Sequence, residues 1–136
     1  ARGTFGGFLD VDPADLEKNF AVNTMGLLYC ARAVAPGMIE RKHGHIVNVA
    51  SMAGFMSLFG YTAYGAAKFA GRGMLEALRA EMAPHGVHVA CCYPPDVDTP
   101  QLAWEDEYKP DETRAISGTF KPELYGQRLL RGIPDP

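Results

Sequence analysis

Apolar side chains recur at steps of three and four along the first part of the chain, at Leu16, Phe20, Leu27, Cys30, Val34 and Met38. That period predicts one long amphipathic helix. Asp12 as N-cap, Pro13 at the first helical position and acids at Asp15 and Glu17 mark its start. The helix is expected to run to about Glu40 and to loosen near Pro36-Gly37. One residue of the stripe, Asn23, is polar. A buried polar group must be hydrogen-bonded or it lowers stability, so Asn23 is expected to pin a backbone kink.

The pattern then turns from periodic to continuous. HIVNVAS (His45–Ser51) and VHVACCY (Val87–Tyr93) are short and β-branched, as expected of strands buried on both faces. Between them lies an Ala-, Met- and Leu-rich helix over Thr62–Ala83, stopped by Pro84-His85-Gly86. Strand, long helix, strand is a βαβ unit, which predicts parallel strands joined by a right-handed crossover.

After Pro94-Pro95 the chain becomes polar and weakly periodic, and Glu105-Asp106-Glu107 reads as a solvated acidic run. A connection this long in a compact domain is usually functional or mobile. Lys121-Pro122-Glu123 opens a last helix whose expected buried side is Leu124, Leu129, Leu130 and Ile133. The fold class is α/β, a doubly wound parallel sheet of Rossmann type, present over 1–136 as one partial domain. Three helices and two strands do not complete such a layer, so a fragment or an incompletely given protein is expected.

Composition narrows the function without naming it. The 136 residues are 47% hydrophobic with a net charge of -3, and acids outnumber Lys and Arg, which form no stripe. No nucleic-acid partner is expected. No apolar run reaches bilayer length and no signal peptide opens the chain, although a peripheral membrane contact stays open. Three cysteines suggest a reducing compartment, hence the cytoplasm. Adjacent Cys91 and Cys92 would point to opposite faces of a strand, and with Cys30 they read as small core residues. The histidines stand where helices end and strands begin, without ligand spacing, so no metal is expected.

Chemistry is expected beyond the carboxyl ends of the strands, where open parallel sheets bind ligands. Ser51, the Pro94–Thr99 loop and the start of the crossover helix all meet there. On that helix Tyr64 and Lys68 are spaced i, i+4 and share a face. A free phenol ionises near 10, and an ammonium within reach predicts a lower value. Tyr61 has only Gly65 at the matching position and is given no chemical role, only packing near a substrate entrance. Ser51 is placed to hold a polarised oxygen or to cap the loop, with no His–acid pair to make it a nucleophile.

Ser51, then Tyr64 and Lys68 on the helix after a strand, with Asn23 in Val22-Asn23-Thr24-Met25-Gly26, resembles the short-chain dehydrogenase/reductase family. Pro94 to Thr99 is similar to that family's loop after the following strand, with Pro95 in place of its usual glycine. The resemblance covers essentially the whole chain and implies hydride transfer between a nicotinamide cofactor and a ketone or secondary alcohol. It implies catalytic roles for Asn23, Ser51, Tyr64 and Lys68, with Asn23 holding a water that relays protons to Lys68. It implies cofactor contacts from Tyr64, Lys68, Pro94, Pro95, Val97 and Thr99.

LFGYTAYGAAKFAGRGMLEALRAEM, YPPDVDTP and KPDETRAISG further resemble the 3-ketodihydrosphingosine reductases. That implies NADP, with NAD as the alternative, and reduction of a 3-keto sphingoid base. The segment Gln101–Gly118 is then expected to be a substrate lid, with Leu102, Trp104 and Tyr108 facing a long acyl chain. The family's Gly-rich phosphate turn is not among these residues, so the chain is read as the central and C-terminal part of the enzyme. A homo-oligomer paired through the two long helices is also implied. The competing readings are a reductase of another substrate, such as a 3-oxoacyl thioester or a sterol-like ketone, and a non-catalytic oligomer subunit or interaction module.

Overall fold

The computed structural model describes residues 3–109 and 118–133. Helix α1 (Pro13–Phe20) starts at Asp12, whose side chain accepts from the Ala14 N–H at 2.8 Å. Helix α2 spans Gly26–Glu40, strand β1 Gly44–Val49, helix α3 Thr62–Met82 and strand β2 Val87–Cys92. Helices α4 (Pro100–Tyr108) and α5 (Pro122–Arg131) complete the described chain.

The single long helix expected from the apolar stripe is in fact two. Residues Ala21–Met25 form a π-helical turn, in which the Gly26 N–H reaches back five residues to the Ala21 C=O. Asn23 sits in that turn and donates to the Asn19 C=O at 3.2 Å and to Asn19 Oδ1 at 2.8 Å. Asn19 in turn donates to the Ala63 C=O on α3 at 2.8 Å. The widened turn is held by side chains whose last partner lies far along the chain, which is why periodicity alone missed it. At Pro36, by contrast, α2 continues as an α-helix.

Strands β1 and β2 pair in parallel, with Gly44 opposite Val87 and Val49 opposite Cys92. The crossover ends at Gly86, whose φ of 71° is in the left-handed region that suits glycine. A Cβ there would also run into the Lys42 carbonyl. The main core packs Ala31 of α2 and Leu75 and Met82 of α3 against Ile46, Val87 and Val89 of the strands. A second cluster joins Phe5, Ala53, Tyr61 and Tyr64, with Leu58 and Trp104 against it.

Several expected core positions lie elsewhere. Val49 is exposed, so β1 is not buried on both faces along its whole length. Leu124 and Leu130 are exposed, the latter 70%, and the inward side of α5 is Tyr125, Gly126 and Leu129. Cys30 is also exposed, while Cys91 and Cys92 are half-buried, and all three are free thiols. His45 and His88, paired across the strands, stack with centroids 5.2 Å apart. No helix among the described residues is long and apolar enough to cross a membrane.

Candidate active site

Beyond Val49 the two strands stay together. The Ala50 N–H donates to the Cys92 C=O at 2.8 Å and the Met52 N–H to the Pro94 C=O at 3.0 Å. Ser51 is therefore held beside the Pro94-Pro95 turn. Its Oγ accepts from the Ala53 N–H at 3.2 Å and caps the short turn Met52–Gly54. Capping uses an oxygen lone pair and leaves the hydroxyl hydrogen for another partner.

Tyr64 lies in the first turns of α3 and is 5% exposed. The Phe5 ring, 5.0 Å from it between centroids, and the Tyr61 ring, at 5.9 Å, fix its plane. Ser51 and Gln101 line the same cavity as this residue. Lys68 follows one turn on, and its Nζ lies 5.2 Å from the Tyr64 ring centre.

The acidity expected of this pair is reversed. Burial pushes the Tyr64 phenol up to about 12, and the Glu105 carboxylate and Tyr61 add to the rise. Hydrogen bonding to Ser51 and Gln101 pulls the other way and does not win. Burial also holds the Lys68 ammonium below the usual lysine range, with Cys91 and Glu105 opposing. An i, i+4 spacing brings the two residues together but leaves open which part of the ring meets the cation.

The loop after β2 closes the floor. Val97 bridges to Phe120: the Asp98 N–H donates to the Phe120 C=O and the Phe120 N–H to the Asp96 C=O, both at 2.9 Å. Thr99 is the N-cap of α4, its Oγ1 accepting from the Leu102 N–H at 3.4 Å. Val49, Ser51, Tyr64, Lys68, Pro94, Pro95, Val97 and Thr99 line one cavity of ≈ 470 Å³ with Gln101, Leu102 and Glu105 of α4 and Tyr125 and Leu129 of α5.

Residues 2–109 match the family described as short chain dehydrogenase. The chain belongs to that family. It is 45% identical over 129 residues to the 3-ketodihydrosphingosine reductase of Bos taurus, covering 93% of this chain and 39% of the relative. The 3-dehydrosphinganine reductase of Danio rerio is 48% identical over the same shares. The chain thus spans about two-fifths of the length of these curated relatives. Among solved structures, a short chain dehydrogenase from Burkholderia cenocepacia J2315 in complex with NADP superposes with a TM-score of 0.79 at 25% identity, over 98% of this chain and 54% of that one.

In this short-chain dehydrogenase Asn23 does not line the cavity. It belongs to the π turn, which docks on α3 through Thr24, whose Oγ1 donates to the Ala67 C=O at 3.1 Å, one residue before Lys68. Tyr61 is buried in the aromatic cluster and is not at an entrance; burial and the acids Glu105, Asp96 and Asp106 push its phenol up. Glu105 corrects another expectation, being 8% exposed where a solvated acid was predicted. The stretch from Pro100 is a helix rather than a weakly ordered segment, with Leu102 on the cavity and Trp104 packed 6.1 Å from Phe5. The rest of the expected lid, 110–117 with Glu112, Thr113, Arg114, Ile116 and Ser117, lies outside the described residues, as does the side chain of Tyr108.

Asn19, Gln101 and Glu105 were not singled out by sequence. The one signal for Asn19 was its polar character a turn before Asn23. For Gln101 and Glu105 it was their i, i+4 spacing after a Thr-Pro helix start.

Proposed function

We propose that this chain carries the proton-transfer side of a nicotinamide-dependent carbonyl reductase acting on a 3-keto sphingoid base. The observation that carries the reading is the convergence of Ser51, Tyr64 and Lys68 on one cavity at the carboxyl ends of both strands. Ser51 orients the ketone oxygen and stabilises the charge that develops on it. Tyr64 donates the proton to that oxygen. A phenol held near 12 is neutral at physiological pH, which suits donation and therefore the reducing direction. Lys68 contributes positive charge over the Tyr64 ring and a donor group on the cavity wall. Asn23 holds the turn that packs on α3 beside Lys68, and its role in the family, holding a water that relays protons to Lys68, is carried over on the resemblance.

The cavity suits the nicotinamide end of NADPH, which when bound supplies the hydride. The Val97 bridge uses the Asp96 C=O, the Asp98 N–H and both backbone groups of Phe120, and among the described residues no backbone bond takes the N–H or C=O of Val97, which suits a carboxamide. Thr99 accepts as a helix cap and keeps its hydroxyl hydrogen to donate. Pro94 and Pro95 stiffen the turn below them. The substrate class is carried over from the two relatives named above, and the apolar wall of Leu102 and Leu129 accords with an alkyl chain. Outward apolar residues Val22, Leu28 and Tyr29 along the first helices, with Phe69 on α3, support a homo-oligomer.

The test is turnover by the full-length protein with NADPH and a 3-keto sphingoid base, followed as loss of reduced-nicotinamide absorbance. Turnover of a 3-oxoacyl thioester or sterol-like ketone instead would replace the substrate. No oxidation of NADPH by any ketone would overturn the reductase reading.

A further inference from the structure

One group on the cavity wall has no part in that reaction. Glu105 of α4 is almost completely buried, yet it lines the same cavity as Ser51, Tyr64 and Lys68. Gln101, one turn earlier, donates through Nε2 to Glu105 Oε1 at 2.5 Å, and Gln101 lines the cavity wall together with Tyr64. The amide and the carboxylate thus stand on the same cavity wall as the phenol that handles the proton. That fixes an anion close to the place where the ketone oxygen must sit.

A buried carboxylate lowers stability unless a cation or strong donors compensate it. Among the described residues Lys109 is a cation that acts on Glu105, but its Nζ is engaged by Asp96 at 2.9 Å and approached by Asp106 at 3.9 Å. Among the described residues, the charged and titratable groups that act on Glu105 or are acted on by it are Lys109, Asp96 and Asp106 on the loop and at its own helix, and Tyr64, Tyr61 and Lys68 on α3. Burial raises the Glu105 carboxyl against the pull of Gln101 and Lys109, and the carboxylates Asp96 and Asp106 add to the rise. A cationic ligand in the cavity would relieve this balance.

A plain aliphatic ketone offers nothing for such a group to bind. An α-amino ketone does, because its ammonium is attached to the carbon next to the carbonyl. With the oxygen between Ser51 and Tyr64, that ammonium must lie against the wall around the phenol, where Gln101 and Glu105 stand. We propose that Glu105, positioned by Gln101, binds the ammonium beside the reacting ketone and so selects α-amino ketones over their deaminated analogues. The inference rests on the reductase reading above.

The test uses full-length protein and two substrates: a long-chain 1-hydroxy-2-amino-3-ketone and the same ketone with hydrogen in place of the amine. The readout is the ratio of their kcat/KM values. Wild type should favour the amino ketone by about tenfold or more, the scale of a hydrogen-bonded charge pair. Glu105→Gln should lower the ratio about ten- to hundredfold, mainly through KM for the amino ketone, and Glu105→Asp should restore part of it. A ratio unaltered in Glu105→Gln means that Glu105 only holds α4 in place, and overturns the inference. Wild-type protein that reduces both ketones equally well overturns it without any variant. Wild type that reduces neither overturns the reductase reading itself and the inference with it.

Discussion

The Lys68 ammonium lies over the Tyr64 ring, 5.2 Å from its centre. A cation over an aromatic face is attracted by the ring quadrupole and is weakly coupled to the hydroxyl at the edge. Burial therefore governs the phenol, which keeps its proton well past neutrality. The pair sets a neutral phenol beside a cation on the cavity wall.

Replacing Tyr64 by Phe keeps the ring in its aromatic cluster and removes only the donor. The expected result is a loss of about a hundredfold to ten-thousandfold in kcat, measured under single-turnover conditions in the full-length protein. A variant within tenfold of wild type would move proton transfer to another group.

Tyr64 should also leave a mark on stability in alkali. The phenol ionises at about 10 in the unfolded chain and at about 12 in the folded one. Its contribution is fully present below about pH 10 and is lost as pH rises toward 12, because the unfolded chain gives up its proton first. Denaturation midpoints measured from pH 8 upward should fall across that window. Tyr64→Phe should flatten the fall without abolishing it, since Tyr61 is raised in the same direction.

Lys68→Met retains an aliphatic stem and removes the charge. Weaker binding of reduced nicotinamide, by about tenfold or more, is the expected outcome, with kcat lowered as well. Cofactor fluorescence titration gives the dissociation constant directly. An unchanged constant would restrict Lys68 to the neighbourhood of the ring.

Asn19 links α1 to α3 through the Ala63 carbonyl and supports Asn23 within the π turn. Asn19→Ala leaves buried polar groups without this partner and should cost about 1–3 kcal/mol of stability, read from the denaturant midpoint. No change in the midpoint would mean that the turn is held by packing alone.

Much of the site could be read from the chain because its parts are local. A strand ending in Ser51, a helix carrying Tyr64 and Lys68 on one face and a proline-stiffened loop ending in Thr99 each have short-range signals. Topology then brings those three places to one sheet edge. The features that escaped are long-range. The π turn depends on a hydrogen bond from Asn19 to Ala63. Glu105 looks solvated in the string Glu-Asp-Glu, and only the docking of α4 over the cavity buries it. The direction in which the Tyr64 proton shifts followed from desolvation, which no spacing of two residues encodes.

The backbone staple between Asp96–Asp98 and Phe120 fastens the excursion at its base. Residues can be added or removed between Thr99 and Thr119 at little entropic cost, since loop closure grows only slowly with length. The backbone bonds that hold Ser51 and Pro94 at the strand ends lie outside that span. Variation in the length of the span is thereby taken up at the staple and reaches the floor of the cavity only through the contacts of α4, Trp104 on Phe5 among them.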